Sequence, residues 1–265
     1  MSNRERKFAA VVLAGERPGG SPFSRELGLS ASVLVDVAGK TSLRRVIETL
    51  DACGSVGEGV LCGPDQAVFE KEPEIGDILS GTSFQWIPPR PGPSASALAG
   101  IEKLKRFPVL LTAGDHALLT PAIVEDFCAR AAELDVDVVF GIAPYPRVRA
   151  AFPESKRTVL RFSDGSYCGT NLFAILTREG MAGPAFWTRL EADRKHPWKM
   201  ARKIGFGLLL RFFLGRLTLD SVLESLSRAM GCRVGCVIIE NPRVAVDVDS
   251  VADRDLAVRI LNDAV

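Results

Sequence analysis

The chain has 265 residues, of which 47% are hydrophobic and 25% charged, and its formal net charge is +1. This length and apolar content suffice for one large α/β domain or two small ones with a sizeable core. The near balance of acidic and basic residues argues against a general nucleic-acid binder, so affinity for anions must come from local clusters.

The first half of the chain alternates apolar runs with segments of helical periodicity. The run 8–14 is continuously apolar and ends at Gly15, which is typical of a strand buried on both faces of a parallel sheet. Such alternation predicts crossover units, and hence a mostly parallel sheet with helices on both faces in a three-layer α/β domain. Further strands are predicted at 59–62, 84–87, 108–112 and 136–142, and helices at 43–50, 96–104 and 122–134.

From about residue 150 the pattern changes. Segments 158–162 and 167–175 flank the sequence Ser-Asp-Gly-Ser, which predicts a β-hairpin. Helices are expected within 184–226, then a strand at 233–240 and a last helix from Val251. We therefore predict one domain with an inserted lobe.

The N-terminus and the cysteines bear on location and cross-linking. The apolar stretch 8–14 is too short for a signal-peptide core or a membrane span, so a cytoplasmic protein is expected. The six cysteines form no CxxC pair and no zinc-type spacing, which predicts free thiols in the core.

Segment 198–214 is basic at its start and strongly apolar afterwards. It is too short and too charged to span a membrane. Peripheral contact with a bilayer surface, a cover over a ligand pocket, and a core or homodimer-forming helix pair are the alternatives.

A glycine-rich loop, 13–20, follows the first predicted strand. A loop that leaves a strand end can turn its backbone N–H groups around phosphates, and Arg17 or Arg25 could add bidentate charge. An ordinary connecting loop is the alternative. A GxGxxG fingerprint is absent, and Leu34 stands where a P-loop ending at 39–41 would need its first glycine.

Several short motifs follow one another in a fixed order: Leu-Ala-Gly at 13–15, an apolar run ending in Gly-Lys at 33–40, the segment 92–101, Gly-Asp at 114–115, and 246–253. Each is weak by itself, but in this order the chain resembles the MobA-like NTP transferases of the GT-A-type nucleotidyltransferase superfamily. The resemblance implies a single Rossmann-like domain with an apolar strand that contains residues 33–35. It also implies an NTP-binding half at 1–145, an acceptor-side lobe at 146–240, and a metal-ligating strand and helix at 241–265.

The resemblance also assigns the nucleotide and metal sites. The first loop would cradle the triphosphate through Leu13, Ala14, Gly15, Glu16, Gly19 and Gly20. Arg90, Ser94 and Ser96 would lie near the base and ribose. Asp115 and Asp247, with Asp249 as a further ligand, would bind Mg²⁺, which prefers a few carboxylates plus phosphate oxygens. Helix capping is the alternative for these three aspartates.

One position departs from the family pattern. Where family members usually carry a lysine that contacts phosphate, this chain has Ser32. Arg17, Arg25 or Lys40 could supply the missing charge, so these three join Asp115 as candidate catalytic residues.

On the acceptor side we single out three residues, His116, Arg161 and Asn171. His116 could contact the acceptor or be a satisfied buried polar residue. Asn171 resembles the family's acceptor-side asparagine, and capping of a turn is its alternative. An anionic acceptor or a solvated surface would explain a basic cluster near the hairpin, formed by Arg147, Arg149, Lys156, Arg157 and Arg161.

Together these features predict Mg²⁺-dependent transfer of a nucleoside monophosphate from an NTP to a phosphorylated small molecule, with release of pyrophosphate. CTP is preferred over GTP because Arg90 and 96–101 resemble the base-side segment of cytidylyltransferases. If 198–214 contacts a membrane, the product would serve envelope lipid or glycan synthesis. The alternatives are a GT-A glycosyltransferase with 247–249 as its DxD motif, and a non-catalytic nucleotide-binding protein.

Overall fold

The computed structural model describes residues 7–17, 19–192 and 216–263. The predicted membrane or dimer segment, 198–214, lies outside these residues, and its role stays a prediction. Part of the region where helices are expected, within 184–226, also lies outside the described residues.

The secondary structure follows the predicted alternation. Its first part consists of β1 (Phe8–Leu13), α1 (Pro22–Glu26), β2 (Asp36–Val37), β3 (Lys40–Thr41), α2 (Ser42–Asp51), β4 (Val56–Cys62), α3 (Gln66–Lys71), α4 (Pro73–Ser80), β5 (Phe84–Ile87), α5 (Pro93–Leu104), β6 (Val109–Ala113) and α6 (Pro121–Glu133). The remainder consists of β7 (Val138–Pro144), α7 (Tyr145–Ala151), β8 (Leu160–Phe162), β9 (Gly165–Ile175), α8 (Ala182–Ala192), α9 (Leu219–Met230), β10 (Val234–Ile238) and α10 (Val251–Asn262).

The main sheet has eight strands in the order β10-β7-β9-β6-β1-β4-β5, with β8 paired to β9. β1 runs parallel to both β4 and β6, and the pairs β4–β5 and β7–β10 are parallel as well. β9 is antiparallel to its neighbours β6 and β7. The predicted mostly parallel sheet is confirmed.

Helices cover both faces of this sheet, as the buried run in β1 predicts. Ala10 and Val12 belong to the core cluster that contains residues of α2, α6 and α10. Ala9 and Val11 point the other way, into the cluster that α5 and α8 complete. Because successive side chains of a strand alternate between faces, continuous burial of β1 requires these two apolar layers.

The strand expected at 33–35 is wrong. Residues Ser32–Leu34 form a 3₁₀ turn, and β2 has only two residues, paired with β3 in a separate small sheet. Between them, Ala38 and Gly39 have φ of 53° and 82°, which makes a tight hairpin turn. Val33, Val35 and Val37 are buried. Every second residue is thus buried, as in a strand, although the backbone here forms turns.

The hairpin predicted within 158–175 is present as β8 and β9, joined by a two-residue turn. Its long strand β9 has eleven residues and lies inside the main sheet, between β6 and β7. The second half of the chain therefore completes the sheet that the first half begins. The boundaries at 145 and 240 stay predictions.

The six cysteines are free thiols, and five of them are buried, which confirms the expectation from their spacing. Within the described ranges, no helix is long and apolar enough to cross a membrane.

Candidate active site

The candidate site is a cavity of about 560 Å³ at the carboxyl ends of β1 and β6, where ligands bind in open α/β sheets. Its lining comes from the loop after β1, the start of α5, strands β6, β7 and β9, helix α8 and the segment before α10. These residues are Leu13, Gly15, Pro93, Ser94, Ala97, Leu111, Thr112, Ala113, Asp115, Val138, Phe140, Asn171, Phe173, Ile175, Gly183, Pro184, Trp187, Glu191, Asp247 and Asp249.

Glu16 organises the loop that follows β1. Its Oε1 accepts hydrogen bonds from the Ser21 amide and the Ser24 hydroxyl, both at 2.6 Å, and its Oε2 accepts from the Ser32 amide at 3.0 Å. Burial raises the pKa of Glu16, but these hydrogen bonds outweigh it and hold the pKa below its usual value. Glu16 is thus an ionised anchor that ties the loop to α1 and to the turn at Ser32.

The loop's internal hydrogen bonds decide which amides can face a phosphate. The Gly20 amide donates to the Arg17 carbonyl at 2.9 Å, and the Ser21 amide is held by Glu16. In the described part of the loop, the amides of Gly15, Glu16 and Arg17 have no protein acceptor. The candidate phosphate cradle is therefore 15–17, and it is shorter than the predicted one.

The three cations predicted to replace the family's lysine have different surroundings. Arg25 donates to the carbonyl oxygens of Gly19 and Gly20 at 3.1 and 2.9 Å, so it braces the loop. Lys40 forms an ion pair with Glu48 of α2. Arg17 is exposed on the loop itself. The structure thus brings Arg17 and Arg25 to the loop and Lys40 to α2.

The start of α5 is held by a contact that the sequence did not reveal. The Ser94 hydroxyl donates to Glu191 Oε1 of α8 at 2.6 Å. Gly92 precedes α5 with a φ of 96°, and a Cβ there would lie 2.6 Å from Glu191 Oε2. Glu191 therefore places a carboxylate at the helix N-terminus, where a helix favours negative charge.

Ser96 lies close to the cavity, but its hydroxyl forms hydrogen bonds with the backbone of the loop before α5. It accepts from the Arg90 amide at 2.9 Å and donates to the Arg90 carbonyl at 3.2 Å, and the residue is buried. Arg90 itself is exposed. Neither residue is among those that line the described cavity.

Asp115 follows β6 and faces the cavity. Its Oδ1 is buried, and it has no hydrogen-bond partner among the described residues. Burial, and then the charges of Asp249 and Asp247, raise the pKa of Asp115 to about 7. Helix α6 is capped by Thr120, so the capping alternative for Asp115 is wrong.

Asp247 and Asp249 reach the same cavity from the segment before α10. Arg157 donates to Asp247 Oδ1 and, at 2.6 Å, to Asp253 Oδ1. The Asn171 amide nitrogen donates to Asp247 Oδ2 at 3.3 Å. Ser250 caps α10, so the capping alternative is wrong for both Asp247 and Asp249. Partial burial and the neighbouring Asp247 and Asp253 raise the pKa of Asp249.

Two further acceptor-side candidates lie away from the cavity lining. His116 is buried, with Nε2 at 3.0 Å from the Val244 carbonyl and Nδ1 at 3.4 Å from the Thr112 hydroxyl. These partners match the alternative interpretation, a satisfied buried polar residue. Burial lowers the pKa of His116 to about 4. Arg161 is exposed on β8.

Arg157 and Glu191 are the functional candidates that sequence reasoning missed. Arg157 was grouped with a solvated basic surface, but its side chain is only 9% exposed, so that interpretation is wrong for this residue. Glu191 lies on the same helical face as Gly183 and Trp187, at spacings of four residues. That periodicity was readable, but the partner Ser94, 97 positions away, was not.

Asp115, Asp247 and Asp249 form a candidate metal site in this cavity. In the described ranges, no three acidic, histidine or cysteine side chains converge closely enough to hold a metal ion by themselves. Mg²⁺ commonly takes one or two carboxylates and completes its shell with water and substrate phosphates. The unpaired Asp115 Oδ1 and the mutual repulsion of three carboxylates fit such an ion.

Comparison with protein families matches residues 10–229 to the MobA-like NTP transferase domain. No curated protein matches the chain. A solved structure described as a hypothetical transferase from Thermus thermophilus is 27% identical, with a TM-score of 0.78, over 94% of this chain and 99% of that one.

Two more distant structures share the fold. CMP:2-keto-3-deoxy-manno-octonic acid synthetase, solved in complex with CTP, is 14% identical, with a TM-score of 0.58 over 98% of this chain and 100% of that one. Molybdopterin-guanine dinucleotide biosynthesis protein A from Archaeoglobus fulgidus is 14% identical, with a TM-score of 0.52 over 97% of this chain and 100% of that one.

Proposed function

The chain belongs to the family of MobA-like NTP transferase domains and is a nucleotidyltransferase, and from this premise we propose the rest of its reaction. It transfers a nucleoside monophosphate from an NTP to a phosphorylated small molecule, with Mg²⁺, and releases pyrophosphate. The observation that carries the proposal is the buried Oδ1 of Asp115, which has no hydrogen-bond partner among the described residues and lies in one cavity with Asp247 and Asp249.

The proposed chemistry is an in-line displacement at phosphorus. An oxygen of the acceptor phosphate forms a bond to the α-phosphorus while the bond from that phosphorus to the β-bridging oxygen breaks. The electron pair leaves with pyrophosphate. Such transfer depends on positioning and charge neutralisation more than on covalent help from the protein.

The described residues divide this work between two sides of the cavity. Free amides at 15–17 bind the triphosphate, and the exposed Arg17 adds positive charge in place of the family's lysine. Asp115 and Asp247 hold Mg²⁺, which when bound neutralises phosphate charge. Asn171 and Arg157 orient Asp247 through their hydrogen bonds to its two oxygens.

The nucleobase binds near the start of α5. Glu191, held there by Ser94, can accept a hydrogen bond from an exocyclic amino group, which cytosine and guanine both carry. CTP remains the first choice and GTP the second. The structure solved with CTP and the guanine dinucleotide protein, both of this fold, support testing both.

The test is a pyrophosphate-release assay with each of the four NTPs, Mg²⁺ and a panel of phosphate esters. Release that needs one NTP, one acceptor and Asp115 would support the proposal. Asp115→Asn is expected to lower the rate at least 100-fold, whereas Asp77→Asn, on the exposed face of α4, leaves it unchanged.

Other outcomes would contradict the proposal. NTP binding without turnover for any ester would favour a non-catalytic nucleotide-binding protein. Transfer of a sugar from a nucleotide sugar, without pyrophosphate, would favour the glycosyltransferase alternative.

A further inference from the structure

One side of the cavity is an apolar wall formed by three adjacent strands. We use "apolar wall" for Leu111 of β6, Val138 and Phe140 of β7, and Phe173 and Ile175 of β9. In the sheet, Val138 pairs with Ile175, and Phe173 pairs with both Phe140 and Leu111. The rings of Phe140 and Phe173 meet edge to face, with centroids 5.6 Å apart. The wall is therefore one continuous patch on the sheet.

Helix α8 lies over this wall and packs on its Val138 end, where a Cβ on Gly183 would lie 3.2 Å from the Val138 side chain. Gly183, Pro184, Trp187 and Glu191 line the cavity from the helix, and Gly183, Trp187 and Glu191 are spaced by four residues, so they share one face. The first three offer only apolar contact and the indole N–H. The cavity is thus lined by apolar groups of both the sheet and α8, and Glu191 adds a carboxylate near the last turn of that helix.

The polar side chains of the described lining are already engaged or lie among the carboxylates. The Thr112 hydroxyl contacts His116, Ser94 donates to Glu191, and Asn171 donates to Asp247. A hydroxyl group resting on the apolar wall would lose water without gaining a partner, which weakens binding roughly 5- to 150-fold. A buried methylene strengthens binding about fourfold.

Resting on the nucleotidyl transfer proposed above, we propose that the acceptor is the phosphate monoester of a hydrophobic alcohol. Its phosphate lies at the carboxylate end of the cavity, beside Asp115, and its hydrocarbon lies between the apolar wall and α8. The continuity of the wall with the carboxylates, in one cavity of about 560 Å³, supports this acceptor. Sugar phosphates and glycerol phosphate fit poorly, because their hydroxyls would face the wall.

The first experiment measures binding without turnover. Butyl, hexyl and octyl phosphate are titrated calorimetrically into the full-length protein with Mg²⁺, below the concentration at which they form micelles. Glycerol 3-phosphate and glucose 1-phosphate serve as polar comparisons. We expect affinity to rise by up to about fourfold per added methylene, with a negative heat-capacity change. Affinity that does not change with chain length would overturn the proposal.

Matched phenylalanine variants locate the binding. Phe140→Leu and Phe173→Leu remove ring contacts from the wall, and each is expected to weaken octyl phosphate binding 5- to 20-fold, as loss of roughly two buried methylenes would. Phe69→Leu is the control, because that half-buried ring stacks on Trp86 outside the cavity. Thermal unfolding of all three shows whether they fold. An equal loss of affinity in the control would overturn the proposal.

Pyrophosphate release separates this inference from the function on which it rests. Higher kcat/KM with octyl phosphate than with the polar esters supports it. Equal or higher kcat/KM with glucose 1-phosphate or glycerol 3-phosphate overturns the hydrophobic acceptor and leaves nucleotidyl transfer standing. Chain-length-dependent binding without release for any NTP would contradict the proposed function but not the apolar binding site.

Discussion

Arg157 holds Asp247 from inside the protein, since its guanidinium bridges Asp247 and Asp253 with only 9% of the side chain exposed. The loop before β8 is thereby linked to the segment before α10. Two carboxylates so close together, with Asp249 beside them, need this cation to limit their repulsion.

Replacing Arg157 tests that role. We expect Arg157→Ala to lower the free energy of unfolding by about 1–3 kcal/mol, because it strands two partly buried carboxylates. Arg259→Ala breaks an ion pair with Glu154 in which both side chains are more than half exposed, and should cost less than about 1 kcal/mol. Urea denaturation at pH 7.5 measures both. Equal losses would show that Arg157 is an ordinary surface cation.

Replacing Asp115 is expected to lower activity but to raise the stability of the fold. Its pKa is raised from 3.8 to about 7, so the folded state binds its proton more tightly than the unfolded state. Ionising it therefore costs stability progressively from about pH 4 to pH 7 and fully above that. Asp115→Asn should be more stable than the wild type by roughly 1–3 kcal/mol at pH 8.

The gain should vanish below about pH 3, where the wild-type carboxyl is protonated in both states. Unfolding of the two proteins at both pH values, in the absence of metal, checks this. A variant that is less stable at pH 8 would contradict the expected burial of the charge.

His116 has the opposite pH dependence. Burial lowers its pKa from 6.5 to about 4, so only the unfolded state takes up its proton between these values. Its contribution to stability is present above pH 6.5 and is lost as the pH falls toward 4. Between pH 4 and pH 6.5 this contribution offsets that of Asp115. The free energy of unfolding of the wild-type protein should therefore change little with pH in this range.

His116→Gln is expected to reveal the effect of Asp115 on the pH dependence of stability. The variant loses packing and is less stable at pH 7.5 by about 1–2 kcal/mol. Its stability should nonetheless increase as the pH is lowered from 7 to 5, because the pKa values of Asp115 and Asp249 are both raised in the folded state. The midpoint of urea denaturation, measured at pH 7 and pH 5, tests this. A midpoint of the variant that is lower at pH 5 than at pH 7 would refute the raised pKa of Asp115.

Gly92 is expected to matter for nucleotide binding as well as for stability. Gly92→Ala places a side chain at a φ of 96°, costing about 1–2 kcal/mol, and displaces Glu191 from the start of α5. Gly231→Ala, at a φ of 76° with open space around it, should cost a similar amount. Only Gly92→Ala should raise the KM for the NTP. A KM that also rises in the Gly231 variant would point to a global effect.

Periodicity predicted the elements that form the two cores. The runs that became β1, β4, β5, β6 and β7 are bounded by turn residues and lack helical spacing, so their assignment needed no tertiary information. The short helices α1, α3, α4 and α7 were missed because five to eight residues show too little periodicity. The turn at 32–39 imitated a strand because its alternate valines are buried.

The candidate site was predictable where one residue follows a strand end, as Asp115 does after β6. It was not predictable where function depends on a distant partner. Glu16 was expected to contact phosphate but organises the loop, because its acceptor positions are taken by amides and hydroxyls between five and sixteen residues away. Arg157 resembles its exposed basic neighbours in sequence, because its partner Asp247 lies 90 positions away and only folding brings the two side chains together.

The position of β9 sets an order for synthesis of the protein. Both sheet neighbours of β7, β9 and β10, follow it in the sequence, so β7 has no strand to pair with until residue 175 has left the ribosome. At about 5–20 residues per second, the apolar strand Val138–Pro144 stays unpaired for seconds. During that time it is a site for association between nascent chains. A chain terminated before β9 is therefore expected to aggregate, and residues 1–145 are not expected to fold before the rest of the chain.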